Sequence, residues 1–120
     1  MAGESGSVTA SREALLRLRL SAGETVECLV DTGFTGALVL PQEIVSRLQL
    51  PIVGREVFEM VGGRRFVAGV ALAEVEWFGQ RQTFRVIVSE DTLLGTEMLD
   101  GCRLVVDYVA HTVTVSDETS

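Results

Sequence analysis

Lysine and asparagine are missing from this chain of 120 residues, and it has one histidine, two cysteines and two prolines. Each shortage closes off a class of chemistry. Without lysine there is no glycine-rich Lys-Ser/Thr loop to cradle a nucleotide phosphate. With one histidine and no Gly-x-Ser-x-Gly elbow, a serine triad has little support. Cys28 and Cys102 fit no metal-binding spacing, and one histidine leaves too few ligands for structural zinc, so no metal is expected. Nothing in the spacing favours Cys28 and His111 as a nucleophile pair, and His111 reads as part of a turn between strands. Two free thiols in a reducing, cytoplasmic setting are the expectation, with a single disulfide as the lesser alternative. No stretch approaches 18 apolar residues, and Met1 to Ser7 lacks the charged-then-apolar order of a secretory signal, so neither a spanning helix nor a leader is expected. Positive charge is also scarce. Ten cations, all arginine, stand against seventeen acids, for a net charge of −7. That balance argues against nucleic acid or an anionic membrane as partner, since phosphate binding needs a basic face.

The composition is that of an ordinary globular domain, with 47% hydrophobic and 22% charged residues. Area scaling gives a folded surface of roughly 6,300 Å² with about two thirds of the open chain's surface buried, enough for one real core. Residues 1–7 and 116–120 are small and polar and read as flexible tails around a domain at 8–115. Within it, Leu16, Leu18 and Leu20 alternate with arginines, and Phe84, Val86 and Val88 alternate with Thr83, Arg85 and Ile87. The same period of two runs through Ala71, Ala73, Val75 and Trp77 and through Val113 and Val115, so nearly the whole chain reads as strand. Gly62-Gly63 and Gly79-Gln80 each separate two such segments and mark hairpins. Helical spacing is confined to Pro41–Leu50, with Pro41 suited to the first helical position, and to one turn at Thr96–Asp100 stopped by Gly101. The expected fold class is all-β: a small closed barrel or sandwich with one or two short helices.

One segment stands apart. Cys28-Leu29-Val30 is an apolar strand that stops at Asp31-Thr32-Gly33 and resumes, after Phe34-Thr35-Gly36, as Ala37-Leu38-Val39-Leu40. By itself this fits a turn in which Asp31 bonds its own backbone and Gly33 is left-handed. Two further features follow in order, the glycine-tipped hairpin at Gly62-Gly63 and Leu93-Leu94-Gly95 leading into a short helix.

Taken together and in that order, from about Leu16 to Val115, these features resemble the retropepsin-like aspartic peptidases. The resemblance implies Asp31 as the catalytic acid, with Thr32 bonding across a two-fold axis and Gly33 letting the loop backbone approach the carboxylates. It implies Leu93, Leu94 and Gly95 as the strand pinning that loop, and Gly62 and Gly63 as the tip of a flap over an extended peptide. Phe34 and Thr35 then border the substrate pocket. Phe34 departs from the small residue usual there, and the acid and arginine often found at the positions of Thr35 and Thr96 are both replaced, so no lone buried charge remains.

Metal-free amide hydrolysis needs one group to take a proton from water and another to give one to the carbonyl oxygen. Two carboxyls sharing a proton do both. About 3 Å apart at an effective dielectric of about 20 they repel by roughly 5 kcal/mol, or about four pKa units; aspartic-protease dyads are themselves the standard example of this splitting. The chain has one Asp-Thr-Gly, so the resemblance implies a homodimeric endopeptidase acting on extended peptide or unfolded protein, with no cofactor. The competing reading is a non-catalytic peptide-binding or dimerisation module of the same fold. Thr112–Val115 is a candidate for interchain strand pairing. Arg64-Arg65 reads as a solvated hairpin edge, Trp77-Phe78 as strand packing, and Glu74 and Glu76 as the wet face of a strand.

Overall fold

The computed structural model describes residues 3–20, 23–59 and 62–117. In chain order these form β1 (Gly3–Val8), β2 (Ala14–Leu20), β3 (Thr25–Val30), β4 (Leu38–Leu40), α1 (Gln42–Arg47), β5 (Ile52–Glu59), β6 (Arg65–Trp77), β7 (Gln80–Val88), β8 (Leu93–Leu94), α2 (Thr96–Leu99), β9 (Arg103–Asp107) and β10 (Thr112–Ser116). All ten strands join one sheet in the order β5-β6-β7-β4-β8-β3-β2-β1-β10-β9. A further pairing of β6 with β2, Arg19 opposite Glu76 and Leu20 opposite Val75, turns the middle of that sheet into a closed ring of six strands. The fold is all-β, with the two short helices at its margin.

The alternation read from sequence is what fills the ring. Leu16, Leu18 and Leu20 of β2 point inward, as do Val26 and Cys28 of β3, Ala71, Ala73, Val75 and Trp77 of β6, and Val86 of β7. A period of two places every second side chain on one face, so the intervening arginines and glutamates are left outside. There they pair across strands, Arg17 with Glu27, Arg19 with Glu76 and Arg81 with Glu74. Trp77 is buried with its ring edge-on to Phe78 at 4.9 Å. The β6–β7 hairpin turns through Phe78 and Gly79, both at positive φ (53° and 75°), the geometry of a two-residue hairpin that follows strand twist.

Four expectations need correction. Residues 3–7 do not form a tail: with Val8 they make up β1, hydrogen-bonded to β10 on one side and β2 on the other. Small residues are a requirement there, because a Cβ on Gly6 would stand 1.8 Å from the carbonyl oxygen of Leu15. Glu4 ties the strand further by accepting the amide N–H of Phe78 at 2.8 Å. Ser116 likewise closes β10, opposite Gly3 and Arg103, while residues 118–120 lie outside the described set. Thr112–Val115 is not available for interchain pairing, since β10 already has β1 and β9 as neighbours. Pro41 sits one position outside α1 as its N-cap, with ψ 153°, and not at the first helical position. The accessible surface, 7480 Å², also exceeds the scaling value. The β5–β6 hairpin explains much of the excess, standing out with Ile52, Val53, Val57 and Val67 each more than half exposed.

Candidate active site

Asp31 is the first residue past β3, at the point where an inward-facing strand gives way to the loop leading into β4. Three hydrogen bonds hold it. Its amide N–H donates to the carbonyl of Leu94 at 2.9 Å, and its own carbonyl accepts the N–H of Phe34 at 3.1 Å. Its Oδ1 accepts the amide N–H of Gly33 at 2.9 Å. The carboxylate is thus oriented by its own loop while remaining half-buried. Gly33 does not take the left-handed conformation that a plain turn reading calls for. Its bare Cα leaves space beside the carboxylate, where an added Cβ would come within 3.2 Å of Oδ1. Thr32 is exposed, and its hydroxyl makes no hydrogen bond among the described residues.

β8 lies between the two strands that bracket this loop. Leu93 and Leu94 run parallel to Leu29 and Val30 and antiparallel to Val39 and Leu38. Beyond it, three consecutive amides continue the attachment: Gly95 donates to Ala37 O at 2.8 Å, Thr96 to Phe34 O at 2.9 Å and Glu97 to Gly36 O at 3.2 Å. The Thr96 hydroxyl also donates to Phe34 O, at 3.3 Å. Thr96 therefore binds the loop through backbone, and Thr35 remains an exposed neighbour. Loop and strand are so close that a Cβ on Gly95 would lie 2.2 Å from Gly36 O and 2.6 Å from Phe34 O. Phe34 occupies the space this leaves. Its ring lies against both glycines, within 2.6 Å of where a Cβ on Gly36 or Gly95 would stand.

A cavity of about 480 Å³ opens between this loop and the outer half of the β5–β6 hairpin. Gly33, Phe34, Thr35 and Gly36 form its loop side, and Phe58 and Phe66, whose rings are 5.5 Å apart, form its hairpin side. Val39, Ile87 and Leu93 contribute apolar wall. Asp31 and Thr32 adjoin the cavity through Gly33 without lining it, and Gly62 and Gly63 stay at the exposed hairpin tip, each at positive φ. Met60 and Val61 fall outside the described residues.

Sequence reasoning missed the charged lining. Glu56 and Glu59 of β5, Arg85 of β7, Asp91 and Glu97 all border the cavity. Arg85 is ion-paired with Glu56, reaching over β6. No periodicity announces these residues, because a charged residue on a strand ordinarily means a solvated face. Only the fold of the hairpin over the loop brings them together.

Cys28 and His111 make no nucleophile pair. Cys28 faces the core with no exposure, and burial pushes its thiol up to about 12. His111 is exposed in the β9–β10 turn at φ 58°. Both cysteines are free thiols. Among the described residues no His, Cys, Asp and Glu cluster is placed to hold a metal, and no helix is long and apolar enough to cross a membrane.

No protein-family profile matches the chain. An uncharacterized protein of Archaeoglobus fulgidus is 25% identical over 109 residues, covering 85% of each chain. Among solved structures, the EIAV protease complexed with the inhibitor HBY-793 superposes with a TM-score of 0.62 at 18% identity, over 79% of this chain and 92% of that one. The simian foamy virus (mac) protease superposes with a TM-score of 0.53 at 17% identity, over 72% and 91%. The chain has the retroviral-protease fold.

Proposed function

We propose that the protein is an aspartic endopeptidase, active as a homodimer, that hydrolyses extended peptide segments with water activated between two Asp31 carboxyls. The observation that carries this reading is the tethering of Asp31. A carboxylate with Oδ1 held by Gly33, and with its backbone held by Leu94 and Phe34, stands half-exposed beside a roomy cavity. An Asx turn of this kind also occurs in purely structural turns, as at Asp107; the support comes from its combination with the Leu94 tether and the adjoining cavity.

One chain supplies one such acid, so the reading requires a second copy about a two-fold axis. The Thr32 hydroxyl supports it, being exposed and without a hydrogen bond among the described residues, so that it can bond across the axis. In the pair, one carboxyl takes a proton from water while the other, protonated, gives one to the scissile carbonyl. The β5–β6 hairpin, with Gly62 and Gly63 at its tip, closes over the substrate chain. No metal or organic cofactor takes part in this scheme. Activity is expected to favour mildly acidic pH, because the shared proton must be retained.

The test is cleavage of casein and of a peptide library between pH 4 and 7 by the wild type and by Asp31→Asn. The expected result is turnover that a transition-state inhibitor of acid proteases blocks, and a loss of at least about 100-fold in the variant with its fold intact. Equal cleavage by pure Asp31→Asn, or peptide binding without any turnover by wild type, refutes the peptidase reading. The second outcome leaves a binding module of the same fold.

A further inference from the structure

The cavity beside Asp31 combines an apolar interior with an unbalanced charge. Val39, Ile87 and Leu93 supply aliphatic wall, and Phe34, Phe58 and Phe66 bring three aromatic rings to the same space. Four carboxylates border it, from Glu56, Glu59, Asp91 and Glu97, against the single guanidinium of Arg85. Glu56 already engages that guanidinium. Glu59, Asp91 and Glu97 have no ion pair among the described residues, which leaves the cleft with an excess of negative charge. The paired arginines Arg64 and Arg65 near the hairpin tip do not line it, though Arg65 stands opposite Glu59 in the strand register, so the carboxylates of Asp91 and Glu97 carry most of the unbalanced charge.

We infer that this cavity is a specificity subsite for a cationic substrate side chain, arginine above lysine. The inference rests on the peptidase reading only for the identity of the ligand as a peptide. A long aliphatic stem fits the apolar wall while the charged head stays among carboxylates at the rim, as such side chains arrange themselves at apolar surfaces generally. A cleft with low-dielectric walls and one sign of charge concentrates the opposite charge. Arginine is favoured over lysine because its planar guanidinium stacks on aromatic rings and forks between carboxylate oxygens. An acidic side chain meets repulsion and finds Arg85 already taken. The cavity is of a size that suits one long side chain with backbone to either side.

The experiment uses Asp31→Asn, so that binding is read without cleavage, and fluorescence anisotropy with extended peptides carrying Arg, Lys, norleucine or Glu at each position in turn. At one position Arg is expected to bind about tenfold more tightly than norleucine at low salt, with Lys between them and Glu weakest. The Arg preference is expected to shrink in 0.5 M NaCl. In the same background, Asp91→Asn and Glu97→Gln, both at exposed positions, should each lower the Arg-to-norleucine ratio about threefold. Arg and norleucine binding alike at every position overturns the inference, as does a preference that survives neutralising Glu59, Asp91 and Glu97 together, or failure of every peptide to bind. Wild-type turnover measured alongside separates the two readings. Cleavage without cation preference removes the subsite alone, and cation-selective binding without cleavage removes the peptidase alone.

Discussion

The amide N–H of Asp31 donates to the carbonyl of Leu94 at 2.9 Å, so the first residue past β3 is fastened to the last residue of β8. Sixty-odd residues of chain separate the two, and the whole β5–β6–β7 excursion must be in place before that bond exists. The position of the candidate acid is therefore a property of the closed ring and not of the loop alone.

Gly95 is where that dependence is most exposed to a single change. Gly95→Ala puts a methyl 2.2 Å from Gly36 O, a backbone atom that moves only by disturbing the loop carrying Asp31. The expected loss is about 2–3 kcal/mol, a fall in Tm of roughly 10 °C for a domain of this size. Gly54→Ala is the control, because nothing lies within 4 Å of its added Cβ and its φ is ordinary; it should change stability by under about 0.5 kcal/mol. Equal melting temperatures for the two variants would show that the loop yields freely.

Gly6→Ala tests the strand that composition concealed. Its Cβ would fall 1.8 Å from Leu15 O, so β1 must lift from β2 to admit it. A destabilisation of about 1–3 kcal/mol is expected, with amide exchange accelerating along residues 3–8 while β6 and β7 stay protected. Protection of residues 3–8 as in wild type would contradict the tight contact.

What was legible and what was not follows from these contacts. β2, β6, β7 and β10 declared themselves because each buries alternate apolar side chains, Leu16 to Leu20 and Val113 to Val115 being the plainest. β1 did not, because Gly-Glu-Ser-Gly-Ser buries almost no side chain and is held by backbone pairing and by Glu4. The order Asp31, Gly62-Gly63, Leu94-Gly95 was readable because two of its three parts need glycine for stated geometric reasons. Glu56 and Arg85 were not readable as partners. Their meeting depends on the register of β5 and β7 on either side of β6, and isolated charges carry no record of that.

Thiol chemistry separates Cys28 from Cys102. Burial pushes the Cys28 thiol up from 9.0 to about 12. The Cys102 thiol is raised by partial burial and by the negative charges of Asp117 and Asp100. Native protein at pH 8 should lose one thiol per chain to a disulfide reagent, slowly and at Cys102, and both thiols in denaturant. Because the folded value for Cys28 lies above the unfolded one, its neutral thiol favours the fold below pH 9. That contribution is lost as pH rises toward about 12, at up to about 1.4 kcal/mol per pH unit. Cys28→Ala should flatten this part of the alkaline denaturation curve, and an unchanged slope would mean the thiol titrates normally in place.

Ionic strength should act in opposite directions on assembly and on substrate capture. Each protomer carries a net charge of −7, so bringing two together opposes like charges across the whole surface. Raising salt from 0.02 to 0.5 M shortens the screening length from about 20 Å to about 4 Å and should tighten the dimer several-fold. Capture of an arginine-bearing peptide by the acidic cavity should weaken over the same range. At enzyme concentrations below the dimer dissociation constant, salt is then expected to raise specific activity, because dimer is limiting. Well above that constant, salt should lower activity on the arginine peptide and leave the norleucine peptide nearly unaffected. Sedimentation velocity and dilution series at each salt concentration separate the two effects. Specific activity that stays constant over a thousand-fold dilution, in material that sediments as monomer, would mean that one Asp31 suffices and that no second copy completes the site.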